Sequence, residues 1–422
     1  KKGNLFLAIK GKKIDGNKFV KTALKKGAGC IISSKILKKN NKKIITVKNS
    51  ISFLNSFAKF KRKLSSAKII AVTGSAGKTS LKNLIKDLLQ NLGKTCYSSK
   101  SFNNHLGVPI SLSNLSFDDK FGVFEVGMSR AGEIKNLSRL IEPHIGVITN
   151  IGEAHIENFR SVHEIAKAKS EIIESIVEGG TIILNRDDKF FNYLSKKAKS
   201  YKLKALTFGH HKKSDVRINK IIKKGKYSKI FININNKIID LEIRDLNIYN
   251  VLASIAVLKV LKIDIKKIKD KLKNFESPEG RGKKYSIIRY KKKFNLIDES
   301  YNANPLSVKN AINKLNLIKK EKFKKYLILG DMLELGSKSN KYHEQLSKVI
   351  NNSDIDKVFI KGKKTIFTYK QLNKDKRGNI LQDNEDIDIS LREMISNNDH
   401  LMIKGSNATG LNDFSKKMIK GI

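Results

Sequence analysis

Gly74, Ser75, Ala76, Gly77, Lys78, Thr79 and Ser80 run consecutively between two apolar patterns of different period. Before them, Ile69-Ile-Ala-Val-Thr73 is a short β-branched run that predicts a buried strand. After them, Leu81, Leu84, Ile85, Leu88, Leu89 and Leu92 recur at helical spacing. A strand, a turn of small residues and Gly-Lys-Thr at a helix start make an anion cradle. Backbone N–H groups close on phosphate oxygens, and the helix N-terminus adds positive potential. Lys78 is spaced to reach β- and γ-phosphates, and Thr79 to hold Mg²⁺ through its hydroxyl. The turn departs from Gly-x₄-Gly-Lys-Ser/Thr, whose first glycine would fall where this chain has Val72. The chemistry implied is ATP use.

Other residues could complete such a site. Glu125 ends a predicted strand in Phe124-Glu-Val-Gly-Met-Ser129, and Mg²⁺ takes carboxylates together with phosphate oxygens. The same residue reads equally well as a surface carboxylate. Ser161 and Glu164 have the spacing of a capping box, which predicts a helix after Ser161. Its apolar face runs Val162, Ile165, Lys169, Ile172, Ile176, so Lys169 falls on the buried stripe. A lysine there either snorkels to solvent or is desolvated with a lowered pKa. His155, in the loop before this helix, has the chemistry of a metal ligand, although a lone histidine is more often structural. Arg281 in Glu-Gly-Arg-Gly is a candidate phosphate contact between domains or a solvated linker residue. Asn250 on a predicted helix either contacts a base or faces water.

The elements that must position these residues alternate as in an α/β protein. Strands are predicted at Leu5–Ile9, Gly29–Ser33 and Ile44–Val47, with helices over 18–26 and 53–60, and the basic run Lys61–Ser66 is the expected linker. From 67 to about 280, strands at Phe121–Val126, His144–Thr149 and Thr181–Leu184 precede a meander through 229–243. The helix Ile248–Leu261 carries Val251, Leu252, Ile255 and Leu258 on one face, and Ser277–Lys283 is a second linker. Strands at Phe294–Ile297, Tyr326–Leu329, Lys357–Ile360 and His400–Ile403 follow, each ending in a polar or glycine turn. In doubly wound sheets such carboxyl ends carry the ligand site.

Length 422 suits two to four domains, and no apolar run approaches the ~20 residues that span a bilayer. Cys30 and Cys96, far apart, suit a reducing cytosol, so a cytoplasmic protein without membrane insertion is expected. The sequence begins without Met, and its true N-terminus is expected upstream. The net charge of +47 invites a nucleic-acid reading. Yet only 11 of the 86 basic residues are Arg, Trp is absent, and Lys is spread evenly. Groove readout favours Arg and stacking aromatics, so nucleic acid is not an expected partner.

Together the motifs resemble the Mur ligase family of peptidoglycan synthesis. Thr73-Gly-Ser-Ala-Gly-Lys-Thr-Ser80, Phe102-Asn-Asn-His-Leu-Gly-Val-Pro109, Glu125-Val-Gly-Met-Ser129, Ala154-His-Ile-Glu-Asn-Phe159 and Ala166-Lys-Ala-Lys-Ser-Glu171 fit in order. Asp298-Glu-Ser-Tyr-Asn-Ala-Asn-Pro305, Gly330-Asp-Met-Leu-Glu-Leu-Gly336 and Lys404-Gly-Ser406 complete the set. Several resemble the branch that adds D-alanyl-D-alanine to a UDP-N-acetylmuramoyl-tripeptide. The resemblance implies an α/β architecture of three domains. These are a UDP-substrate domain (1–66), a central P-loop ATPase domain (67–280) and a C-terminal Rossmann-like domain for the amino substrate (281–422). It implies that ATP phosphorylates the tripeptide carboxylate and that the amine of D-Ala-D-Ala attacks the acyl phosphate. Carried over residue by residue, Lys78 and Thr79 serve the phosphates and a first Mg²⁺. Glu125 and His155 bind metal, and Lys169 is carbamylated and serves a second Mg²⁺. Asn250 lies near adenine, Arg281 near phosphate, Asp298 and Glu299 near ribose, and Asn103, Asn104, Asn302 and Asn304 near substrate. A monomer is the default expectation. Departures are Leu246, where the family often has His, Asn407, where Arg is common, and the missing front of the UDP-substrate domain. Two alternatives stay open: another amide ligase of this type, adding a single amino acid or glutamate, and a basic nucleic-acid-binding NTPase.

Overall fold

Short β-branched runs separated by amphipathic helices leave parallel pairing as the way to bury both strand faces. In the computed structural model, which describes residues 2–11, 13–36, 41–224, 227–244, 246–319 and 321–421, they form three sheets. Leu5–Ala8, Cys30–Ser33 and Ile44–Thr46 pair in parallel in chain order. The nine-stranded sheet has the phosphate-loop strand Lys68–Thr73 between Phe121–Glu125 and Ile145–Ile148, all parallel. Thr181–Asn185 and Lys204–Gly209 extend it, and the antiparallel strands Val216–Lys224, Tyr227–Ile234 and Lys237–Ile243 finish that edge. The third sheet has six strands. Lys292–Glu299, His400–Lys404, Lys325–Gly330, Lys357–Lys361 and Arg377–Leu381 are parallel, and Lys283–Arg289 adds an antiparallel edge. The edge strands Lys283–Arg289 and Arg377–Leu381 carry few buried apolar residues, and the sequence reading had no strand at either.

Two expectations are corrected. The basic run at Lys61 is not a linker: helix Ser50–Leu64 continues through it, and Arg62 is buried. The Arg62 guanidinium donates to Ile141 O (2.7 Å) and Glu142 O (2.8 Å), the last carbonyls of helix Glu133–Ile141. A cation there satisfies carbonyls that have no partner inside the helix. Arg62→Met should therefore cost about 2 kcal/mol, seen as a lower thermal-unfolding midpoint with unchanged turnover at low temperature. An unchanged midpoint would show that water replaces the guanidinium freely. Helix Ile248–Val260, read as one-faced, is buried continuously from Asn250 to Leu258. It lies between the central sheet and helix Lys78–Gln90, so apolar residues cover its whole circumference.

Candidate functional site

The phosphate loop is shaped by its neighbours as much as by its own residues. Gly74 has φ +144°, and a Cβ there would come within 1.9 Å of Thr149 Oγ1. Gly77, at φ +82°, opens helix Lys78–Gln90. Both positions exclude a side chain, which is why small residues recur here. The segment after strand Ile145–Ile148 props the loop from the other side. Asn150 Oδ1 accepts from Ala76 N (2.8 Å), Thr149 Oγ1 donates to Ala76 O (2.7 Å), and Ser75 Oγ exchanges hydrogen bonds with Gly152 O and N (2.9 and 2.8 Å). Thr149, Asn150 and Gly152 were not singled out from sequence. Their one signal is that they follow a buried strand beside the phosphate-loop strand.

Lys78 is half-buried, and its ammonium donates to Gly74 O at 2.8 Å, which folds it back over the loop. Desolvation pulls its pKa down, the Glu125 charge opposes that, and Arg281 adds to it. Thr79 Oγ1 donates to Glu125 Oε2 at 2.8 Å, and Asn103 Nδ2 donates to Glu125 Oε1 at 2.7 Å. A buried carboxylate paired with a hydroxyl at the foot of a phosphate loop supplies hard oxygen donors, so these residues fit Mg²⁺. Ser80 lies in the same first helical turn. Asn104, the neighbour of Asn103, closes the turn before helix Gly107–Ser113: its Oδ1 accepts from Leu106 N and Gly107 N.

Lys169 lies at 1% exposure in helix Val162–Ser170, whose N-cap Ser161 accepts from Glu164 N at 3.3 Å. Glu164 returns its carboxylate to Arg160 N rather than to Ser161. Burial holds the Lys169 pKa well below its usual value, and the charge acting on it is the like-signed Lys78 ammonium. A buried amine that sheds its proton is what reacts with CO₂, so the residue fits carbamylation. His155, with φ +58°, turns elsewhere. Its Nδ1 is 2.6 Å from Glu334 Oε2, an ion-pair contact not aligned as a hydrogen bond, on the loop after strand Lys325–Gly330. Among the described residues no three His, Cys, Asp or Glu side chains converge as a cation site.

A cavity of about 460 Å³ opens beside the loop, lined by Ala76, Gly77, Asn185, Tyr249 and Asn250 from the central unit and by Leu306 from the last one. Asn250 stands over Gly77, where a Cβ would meet its Oδ1 at 3.0 Å. Tyr249 OH donates to Asp187 Oδ2 (3.1 Å), and burial raises its pKa to about 12. The volume and mixed lining suit a nucleoside.

The last unit reaches this site through Arg281, Asn304 and Leu306 among other residues. Arg281 stacks on the Tyr301 ring (4.3 Å) and donates from Nη2 to Ser101 Oγ (3.0 Å) in the central unit. Asn304 caps helix Pro305–Asn316 with Ser307 and donates from Nδ2 to Ser75 O at 3.2 Å. Leu306 packs against Gly152. Asp298, expected near ribose, is engaged inside its own turn, accepting from Gly280 N (2.8 Å) and Ser300 Oγ (2.6 Å). Glu299 lies 3.8 Å from the buried Lys404 ammonium, and Asn302 Oδ1 accepts from the next backbone N–H. These carboxylates and Asn302 brace the turn, whereas Asn304 crosses to the phosphate loop and Arg281 to Ser101 beside it.

Comparison with known proteins finds relatives along nearly the whole chain. Residues 72–258 match the Mur ligase middle domain, 285–407 the Mur ligase glutamate ligase domain, and 1–68 the Mur ligase family catalytic domain. The UDP-N-acetylmuramoyl-tripeptide–D-alanyl-D-alanine ligase of Rickettsia prowazekii is 34% identical over 97% of this chain and 91% of its own. The crystal structure of MurF from Acinetobacter baumannii superposes with TM-score 0.87 at 25% identity, covering 100% of this chain and 91% of that one. MurF from Thermotoga maritima in complex with ADP superposes with TM-score 0.85 at 26% identity, covering 100% and 95%. With its phosphate loop, its capped lysine helix and its third sheet docked on that loop, the chain belongs to the Mur ligase family.

Proposed function

We propose that this chain is an ATP-dependent ligase that joins D-alanyl-D-alanine to the terminal carboxylate of a UDP-N-acetylmuramoyl-tripeptide in peptidoglycan precursor synthesis. The observation that carries the reading is a likeness over 97% of this chain to a relative of that name, combined with a phosphate loop that the last unit touches directly. Residues 1–66 take the UDP end, 67–280 the nucleotide and 281–422 the dipeptide. Lys78 leaves the Gly74 carbonyl for the β- and γ-phosphates, and Arg281 meets the phosphates from the other unit. Thr79 and Glu125 hold Mg²⁺, which supplies neutralisation of the phosphate charge that develops in transfer. A carbamate on Lys169 together with His155 would supply donors for a second such ion. Asn250 and the cavity beside Gly77 receive the adenosine. Asn304 brings the amine-binding unit onto the loop, so the amine reaches the acyl phosphate in a site from which water is withdrawn. The protein acts in the cytoplasm, where these substrates occur, as a monomer.

The test is ADP release with UDP-tripeptide offered together with D-Ala-D-Ala, diaminopimelate, lysine or nothing. Turnover is expected with the dipeptide at least about tenfold above any single amino acid, a difference of about 1.4 kcal/mol. Faster turnover with diaminopimelate or lysine would move the chain to another branch. Stimulation by DNA or RNA would overturn the ligase reading altogether.

A further inference from the structure

Helix Lys78–Gln90 buries Leu81, Leu84, Ile85, Leu88 and Leu89, and Lys82 lies among them at 1% exposure. Its ammonium donates to Ser98 O at 2.7 Å, to Asn83 Oδ1 at 2.7 Å and to Lys100 O at 3.1 Å. Three hydrogens meet three acceptors. Two of these acceptors lie on the irregular segment between strand Thr95–Tyr97 and helix Gly107–Ser113. Lys100 has φ +47°, a left-handed conformation that is uncommon for a residue with a side chain. Burial lowers the Lys82 pKa to about 8, so keeping an ammonium here is unfavourable unless its acceptors require it. A leucine would suit the apolar stripe better.

The segment that Lys82 holds meets the nucleotide site at three points. Ser98 Oγ accepts from Glu125 N (3.1 Å), Ser101 Oγ accepts from Arg281 Nη2 (3.0 Å), and Asn103 Nδ2 donates to Glu125 Oε1 (2.7 Å). The same helix carries Lys78 and Thr79 one turn earlier. A single buried side chain thus joins the phosphate loop to the segment that orients Glu125 and Arg281.

We propose that Lys82 is a positioning residue for nucleotide binding: its ammonium fastens residues 98–103 to the phosphate-loop helix and thereby sets the Glu125 carboxylate and Arg281 guanidinium. This deepens the site assignment above and rests on it. The Lys82 ammonium donates to Asn83, Ser98 and Lys100 rather than to the phosphate loop, so it acts through the segment it holds.

Lys82→Met keeps the stem and removes every donor, and Lys82→Arg returns a cation. Calorimetry of the full chain with ADP over a range of Mg²⁺ concentrations is the measurement. Lys82→Met is expected to weaken Mg²⁺-dependent ADP affinity about tenfold. It should leave KM for D-Ala-D-Ala within about twofold, and Lys82→Arg should recover part of the loss. A merely structural lysine would lower the folded fraction without moving a dissociation constant. Should Lys82→Met not fold, the Ser101→Ala/Asn103→Ala pair, which cuts two of the segment's links to the site, should reproduce the loss of Mg²⁺-dependent affinity. Wild-type affinity in that pair, or in a folded Lys82→Met, would overturn the proposal. Lys78→Ala run in parallel separates the two levels. If it loses ADP affinity and Lys82→Met does not, only the positioning role fails. If it too binds normally, the site assignment fails.

Discussion

Lys78→Ala is expected to lower kcat by about a thousandfold or more, about 4 kcal/mol of transition-state stabilisation, and to leave the fold in place. Lys78 is the loop's own cation, and phosphoryl transfer depends on charge neutralisation at fixed positions rather than on covalent help from the protein. The structural cost is small, because the side chain makes one neutral-acceptor hydrogen bond, to Gly74 O, worth about 1 kcal/mol. Steady-state ADP release and a thermal melt on the same preparation check both halves. A variant that keeps most of its kcat would remove the phosphate-loop assignment, and one that melts far below wild type would show that the lysine chiefly holds the loop.

The second large effect is expected at Lys169. Lys169→Ala should cost well over tenfold in rate, above about 1.4 kcal/mol, with partial rescue by short carboxylates that fill the space and supply oxygens. The reasoning is electrostatic. The amine is buried beside Lys78, so as an ammonium it would face desolvation and a like charge together. As a carbamate it becomes an anion with two oxygens, and an adjacent cation offsets the burial of that charge. A carbon-13 resonance of a carbamate in protein equilibrated with labelled CO₂, absent in Lys169→Ala, is the direct check. If no such resonance forms and the alanine variant turns over normally, Lys169 is simply a buried lysine.

The sequence by itself determined what depends on neighbours along the chain. The run from Ile69 to Leu92 fixes a strand, a turn that only small residues can make and a helix, because each is a pattern of period and φ preference within a few residues. The Ser161 cap and the stripe through Ile165 put Lys169 on the apolar face of a helix, and the fold then decides that its ammonium is buried rather than snorkelling to solvent. Tertiary structure decided the rest, and in most cases the deciding partner lies far along the chain. Arg62 looks like a solvated charge in a basic run until the end of helix Glu133–Ile141 is set against it. Lys82 falls beside an apolar stripe as any surface lysine might, and only the path of residues 98–100 supplies its acceptors. Asp298 and Asn304 belong to one motif, yet one is enclosed in its own turn and the other reaches Ser75. His155 is a metal ligand only by resemblance, and in the fold its ring lies against Glu334. Spacing encodes which face a side chain takes. It does not encode which carbonyl or carboxylate a second strand or loop will bring there, and for polar groups removed from water that partner decides the role.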